Sequence, residues 1–183
     1  GVLHAAGTAD AGLLGSLEAR AVRRLHAPKA SGAWHLHRAT CVAPLDAHVL
    51  FSSVGAGLGN AGQASYAAAN ASMDALALTQ RACGTAASSV QWPLVGGAGM
   101  GADAFAALQD RQVTIAGFAA ISLEQYAACL AARLGASVGG VARSVQMVHC
   151  ADARELLADM ADPSQPRFSE LGAVTERAPS CSA

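Results

Sequence analysis

A chain of 183 residues, 52% hydrophobic and 14% charged, is long enough to bury one sizeable core but not two ordinary domains. The formal net charge is -1 and the basic residues are scattered, which supports neither a nucleic-acid-binding surface nor long disordered stretches. No apolar run reaches the length of a membrane span, and Cys41, Cys83, Cys129, Cys150 and Cys181 form no CxxC pair, so they read as reduced thiols of a cytoplasmic chain.

Val2 to Ala6 reads as the end of a buried strand stopped by Gly7. A chain that opens mid-strand without an initiator methionine reads as cut from something longer. From Leu17 to about Thr40 the apolar residues Leu17, Ala21, Leu25, Trp34 and Leu36 sit among basic ones, predicting a long helix interrupted near Pro28. Asp46 to Ser53 is a short apolar run between Pro44 and the glycines from Gly55, which predicts a buried strand. Alanine-rich Gln63 to Cys83 predicts a helix with Gly84 as its C-cap. Ser88 to Trp92 predicts a third strand, followed by a Gly/Pro loop from Pro93 to Gly101. Two helices are expected around Ala104 to Gln112 and Leu123 to Leu134, then a fourth strand near Val141 to Val148 and a short helix from Asp152 to Met160. Pro163 to Ala183 reads as linker or tail.

Strands alternating with helices imply an α/β fold with a parallel sheet. Four strands are fewer than a complete doubly wound dinucleotide-binding domain carries, so the expectation is a partial, Rossmann-like sheet.

The chemistry concentrates in one strand-loop-helix segment. Ser53 ends the strand Val49-Leu50-Phe51-Ser52-Ser53, at the carboxyl end where open α/β sheets bind ligands. Tyr66 enters the next helix, with Asn70 one turn further on the same face. A tyrosine beside a serine suits proton delivery to a carbonyl oxygen, provided a cation draws its pKa down from ~10. Lys29, on the preceding helix, is the candidate cation.

These residues carry a resemblance. The stretches GVLHAAG at Gly1, APKASGAWHLH from Ala27, HVLFSS from His48, LGNAGQASYAAANASMDALA from Leu58, and SVQW with Gly99-Met100 agree in order and spacing with polyketide synthase ketoreductases. The likeness runs from Gly1 to about Met100, with weaker matching to about Val148. It extends more distantly to the ketoreductase of animal fatty acid synthase, within the short-chain dehydrogenase/reductase superfamily. Most of that superfamily carries Tyr-x-x-x-Lys on one helix. The synthase branch carries asparagine there and its lysine upstream, as Asn70 and Lys29 stand here.

The resemblance implies a catalytic tetrad of Ser53, Tyr66, Lys29 and Asn70, with NADPH as cofactor. The cofactor would meet Ala5, Ala6, Gly7, Lys29, Tyr66, Trp92 and Pro93. The substrate would be a β-ketoacyl group on the phosphopantetheine of an acyl carrier protein, with other synthase domains as partners. No nucleic acid, membrane or metal partner is implied. Residues 1–150 would then be the C-terminal part of a ketoreductase catalytic domain, and 151–183 a helix and linker or tail. The glycine-rich turn and arginine-bearing strand that hold the cofactor's phosphates in this family would precede Gly1.

Several readings compete with this one. Gly57-Leu58-Gly59-Asn60-Ala61-Gly62 matches GxGxxG, but the next strand ends Val90-Gln91-Trp92 without the acid a ribose requires. His35 and His37 point to different faces of a helix and lack a third ligand. Asn70-Ala71-Ser72 fits a glycosylation sequon. Pro93 stands where the family has glycine, and neither stereochemical marker of the family is present at Ala9-Asp10-Ala11 or at Leu58. An inactive or structural ketoreductase remnant within a synthase, and a free-standing dehydrogenase of a small alcohol, remain as alternatives.

Overall fold

The computed structural model describes residues 1–8, 12–59, 62–96, 120–139, 145–148, 157–158 and 162–169. Four parallel strands form one sheet in chain order: β1 (Val2–His4), β2 (His48–Ser53), β3 (Ala87–Trp92) and β4 (Val145–Met147). Val2 pairs with His48, Leu50 with Ser89, and Gln91 with Met147, so the carboxyl ends of all four strands lie at one end of the sheet.

The two central strands are buried along nearly all their length because both of their faces are covered. On one face Val49, Val90 and Trp92 pack with Ile121, Phe51, Tyr126 and Leu130, closed by helix α5 (Leu123–Gly139). On the other, Leu50 packs with Ala33, Met73 and Ala77, contributed by α2 (Gly32–Thr40) and α4 (Ala64–Ala82). Alternate residues of β2 thus serve opposite layers, as the strand period of two requires. Helix α4 is ended by Gly84 at φ 83, a left-handed position that glycine takes without strain.

The helix expected from Leu17 to Thr40 is present with a specific irregularity. Helix α1 (Ala19–His26) runs through a π-helical turn, Ala27–Ser31, into α2. Pro28 cannot donate to the α-ladder, and the wider turn absorbs that missing bond. The first strand is shorter than read from sequence, ending at His4, and Ala5 and Ala6 are exposed beyond it. The fourth strand is described from Val145; residues 141–144, the helix expected at 104–112, and most of that at 152–160 lie outside the described residues. The stretch read as linker or tail holds one anchor. A 3-10 turn, Pro166–Phe168, buries Phe168 against Val54 and Leu58 of α3 (Val54–Leu58). Among the described residues, no helix is long and apolar enough to cross a membrane.

Candidate active site

The π-turn sets the position of Lys29. Its side chain turns inward and is 4% exposed, with Nζ donating to the Phe51 carbonyl of β2 at 3.4 Å. His4 of β1 fixes the turn from the other side, its Nε2 lying 3.1 Å from the Lys29 carbonyl oxygen. Gly32 makes this approach possible, since a Cβ there would lie 3.2 Å from His4 Cε1.

Lys29 then faces Tyr66, in the first turn of α4, with Nζ 5.2 Å from the ring centroid. That distance permits electrostatic attraction between an ammonium and an aromatic face. Burial draws the lysine down from 10.5 to about 8, and the negative charge of Asp74 acts against the fall. Lys29 therefore stays an ammonium at neutral pH and loses its proton in the mildly alkaline range.

Asn70 is fully buried, and its Nδ2 donates to the Tyr66 carbonyl at 2.9 Å. Its Oδ1 has no hydrogen-bond partner among the described residues. An amide so enclosed cannot receive a glycan, which disposes of the sequon. Ser52 Oγ donates to the Asn70 carbonyl at 3.4 Å, tying the end of β2 to α4. Ser53 follows, half-buried, as the N-cap of α3, and its Oγ accepts from the Gly55 backbone N–H at 3.2 Å. A hydroxyl that accepts there still has its own proton to donate.

Of the four predicted catalytic residues, Lys29, Tyr66 and Asn70 are thus linked by direct contacts. Ser53 is joined through its neighbour Ser52. Gly7 touches Lys29: a Cβ on it would meet Lys29 Cε at 2.8 Å. Ala5 and Ala6 are exposed on the same end of the sheet. Trp92 is placed differently. Its indole is buried, with the ring 4.6 Å from Tyr126 and 5.7 Å from Phe51. Pro93 is buried directly after it. Among the described residues no group of His, Cys, Asp or Glu could hold a metal ion.

A cleft of about 180 Å³ opens beside Tyr66, walled by Leu17, Glu18, Ala21 and Leu25 on one side and Gln63 and Ser65 on the other. Its walls are tied by a 2.7 Å bond from Gly12 N–H to the Gly62 carbonyl, with Gly62 at φ 75. No local pattern in the sequence joins the Gly12 segment to these glycines. Asp74 also lies on this side of α4, four residues after Asn70 and so one turn on along its face.

The KR domain family model matches residues 1–97. The chain belongs to the ketoreductase (KR) domain family of polyketide synthases. It is 45% identical over 139 residues to the spectinabilin polyketide synthase system protein NorB of Streptomyces orinoci, covering 74% of this chain and 6% of that protein. With polyketide synthase GfsA of Streptomyces halstedii it shares 50% identity over 94 residues, 51% of this chain and 1% of GfsA. Among solved structures, one of A-type ketoreductases from a modular polyketide synthase matches with a TM-score of 0.76 at 33% identity, over 92% of this chain and 36% of that one. The first ketoreductase of the tylosin synthase matches with a TM-score of 0.71, also at 33% identity, over 92% and 37%. The KR chain thus spans roughly a third of the solved ketoreductases and a few per cent of the curated synthases it matches.

Proposed function

We propose that this KR chain carries the catalytic residues of an NADPH-dependent β-ketoacyl reductase, acting in the cytoplasm on a β-ketoacyl thioester held by an acyl carrier protein within a polyketide synthase. The contact between the Lys29 ammonium and the Tyr66 ring, 5.2 Å to its centroid, carries this reading.

The residues present fit the nicotinamide end of the cofactor. Ala5 and Ala6 are exposed and Gly7 half-buried at the carboxyl end of β1, with the Lys29 side chain directly against Gly7. When bound, NADPH supplies the hydride that reaches the β-carbon of the substrate. Tyr66 gives its phenolic proton to the oxygen that becomes the alcohol, and Ser53 donates a hydrogen bond to the same oxygen. The Lys29 ammonium stabilises the negative charge the phenol acquires as that proton leaves. Asn70 holds the turn of α4 beneath Tyr66 through the bond to its carbonyl. The acyl chain is assigned to the cleft beside Tyr66, where Leu17, Ala21 and Leu25 give an apolar wall.

The intact packing of Lys29, Tyr66 and Asn70 supports an enzyme over an inactive remnant. The test is NADPH oxidation by the full encoded polypeptide with a carrier-bound β-ketoacyl thioester, compared with its Tyr66→Phe variant. Removing one hydroxyl should lower turnover by ~10²- to 10⁴-fold, the usual range for a general acid. A variant that retains wild-type turnover excludes Tyr66 as the proton donor.

A further inference from the structure

Asp74 is a buried ionisable group that the proposed reaction leaves unused. It follows Asn70 by four residues and Tyr66 by eight, on the face of α4 turned toward the sheet, and it is 8% exposed. Oδ1 accepts from Ser89 Oγ at 2.6 Å and Oδ2 from Gln91 Nε2 at 2.8 Å, both on β3. These donors are neutral, and a carboxylate out of water on neutral donors keeps a charge that asks for a cation.

Lys29 is the one lysine of the chain, and it is buried with the opposite deficit. Its described partners, the Phe51 carbonyl and the Tyr66 ring, are neutral as well. Two buried opposite charges thus sit on α4 and on the π-turn packed against it.

Asp74 also fixes Gln91. A carboxylate only accepts, so the Gln91 amide must present its NH₂ to Asp74 and turn Oε1 the other way. Oε1 then lies 2.8 Å from where a Cβ on Gly57 would stand, inside the helix that Ser53 caps.

We propose that Asp74 is a positioning residue of the site: a fixed buried negative charge that keeps Lys29 an ammonium, and an anchor that braces the Ser53 segment through Gln91. Its place in a reductase rests on the function proposed above, but the coupling between the two charges does not. The other titratable groups packed around Lys29 are Tyr66 on α4 and His4 on β1, the latter at the lysine's backbone carbonyl. From β2 it meets the Phe51 carbonyl, which does not titrate, and the β3 side chains Ser89 and Gln91 are engaged with Asp74 itself. His48 of β2 is engaged with Gln80 further along α4. Arg20, Arg23, Arg24 and His26 of α1, with His35 and His37 of α2, are exposed or half-exposed. The field of Asp74 opposes the effect of burial on the lysine.

A sole lysine allows a direct test on the 183-residue chain. Labelled with ¹³C at the lysine ε-carbon, it gives one side-chain NMR signal whose pH midpoint reports Lys29 alone. Asp74→Asn keeps the shape and removes the charge, and Gln91 can meet the new NH₂ by turning its own amide, so the midpoint should move to lower pH. Adding Gln91→Glu, which returns a carboxylate one bond away, should move it back up. Loss of packing alone would not be rescued in that way. Glu124→Gln, an exposed change on α5, should leave the midpoint in place, and if Asp74→Asn does not fold, Asp74→Ser serves the same comparison. A folded Asp74 variant with the wild-type midpoint overturns the proposal. Reductase turnover with an unmoved midpoint would sink the Asp74 proposal alone. A moved midpoint, with no turnover by the full encoded polypeptide, would sink the reductase reading and keep the coupling.

Discussion

Gly7 and Lys29 compete for one space: a Cβ on Gly7 would lie 2.8 Å from the lysine Cε and 3.1 Å from its Nζ. The glycine is therefore required by the approach of a side chain rather than by its own backbone angles. Gly7→Ala meets the far end of a flexible side chain, so the fold should accommodate it by moving the ammonium. Displacement of a catalytic group by ~1 Å can cost on the order of 10²-fold in rate. The expected result is a large loss of NADPH oxidation with a nearly unchanged melting temperature. An equal loss of both would mean Gly7 supports the fold and not the lysine.

Lys29 should reduce the stability of the protein while serving its chemistry. Its folded pKa of about 8 lies below the ordinary 10.5, so between these values the folded state holds fewer protons than the unfolded one. Stability then rises with pH across that window, and below about 8 the buried ammonium carries its full cost. The difference corresponds to about 3 kcal/mol at 1.36 kcal/mol per pH unit. Lys29→Met should therefore be inactive but more stable than wild type at pH 7, by up to about 3 kcal/mol less what Asp74 loses with its companion charge. Urea unfolding of both proteins at pH 7 and pH 10 checks it, because the advantage should shrink at the higher pH. A difference that is the same at both pH values would contradict the buried-ammonium account.

Asn70 separates burial from contribution. It is fully enclosed, yet its Oδ1 has no described partner, and its Nδ2 bonds a carbonyl that the helix ladder already serves. Asn70→Ala should cost only about 1–2 kcal/mol, below the usual loss for a buried polar group that leaves partners stranded. Asn70→Asp places a charge in the same enclosure and should cost more. Thermal unfolding of the two variants, side by side, gives the order; the reverse order would mean the enclosure is open to water.

The central strands were legible because runs such as Val49-Leu50-Phe51 and Ser88-Ser89-Val90 can be buried on both faces only in a sheet covered twice. Lys29, Tyr66 and Asn70 were legible as a set because the helical repeat and the family spacing agree. The π-turn was not, since Pro28 announces an interruption without saying whether the chain breaks or widens. The Gly12–Gly62 bond and the burial of Phe168 depend on contacts between distant segments, to which no local period points. The family resemblance sets Trp92 beside the cofactor. Local sequence does not show that the alternation of the strand packs its indole into the layer of Phe51 and Tyr126.

Ser53 has two duties that one series of substitutions can separate. Its Oγ accepts from the Gly55 N–H, capping α3, and its hydroxyl proton is the donor assigned to the substrate oxygen. Ser53→Ala loses both, at a stability cost of about 1 kcal/mol typical of a lost N-cap, together with a fall in turnover. Ser53→Thr keeps acceptor and donor, so it should restore stability and part or all of the rate. Ser53→Asp is the deciding variant. A carboxylate caps as well as serine, but when ionised it has no proton to give and sets a negative charge against the forming alkoxide. Stability should therefore follow Ser, Thr and Asp above Ala, whereas turnover should follow Ser and Thr above Ala, with Asp lowest. Urea unfolding and NADPH oxidation measured on the same preparations give the two orders. If Ser53→Asp turns over like wild type, or Ser53→Ala loses stability but no rate, the hydroxyl is only a helix cap.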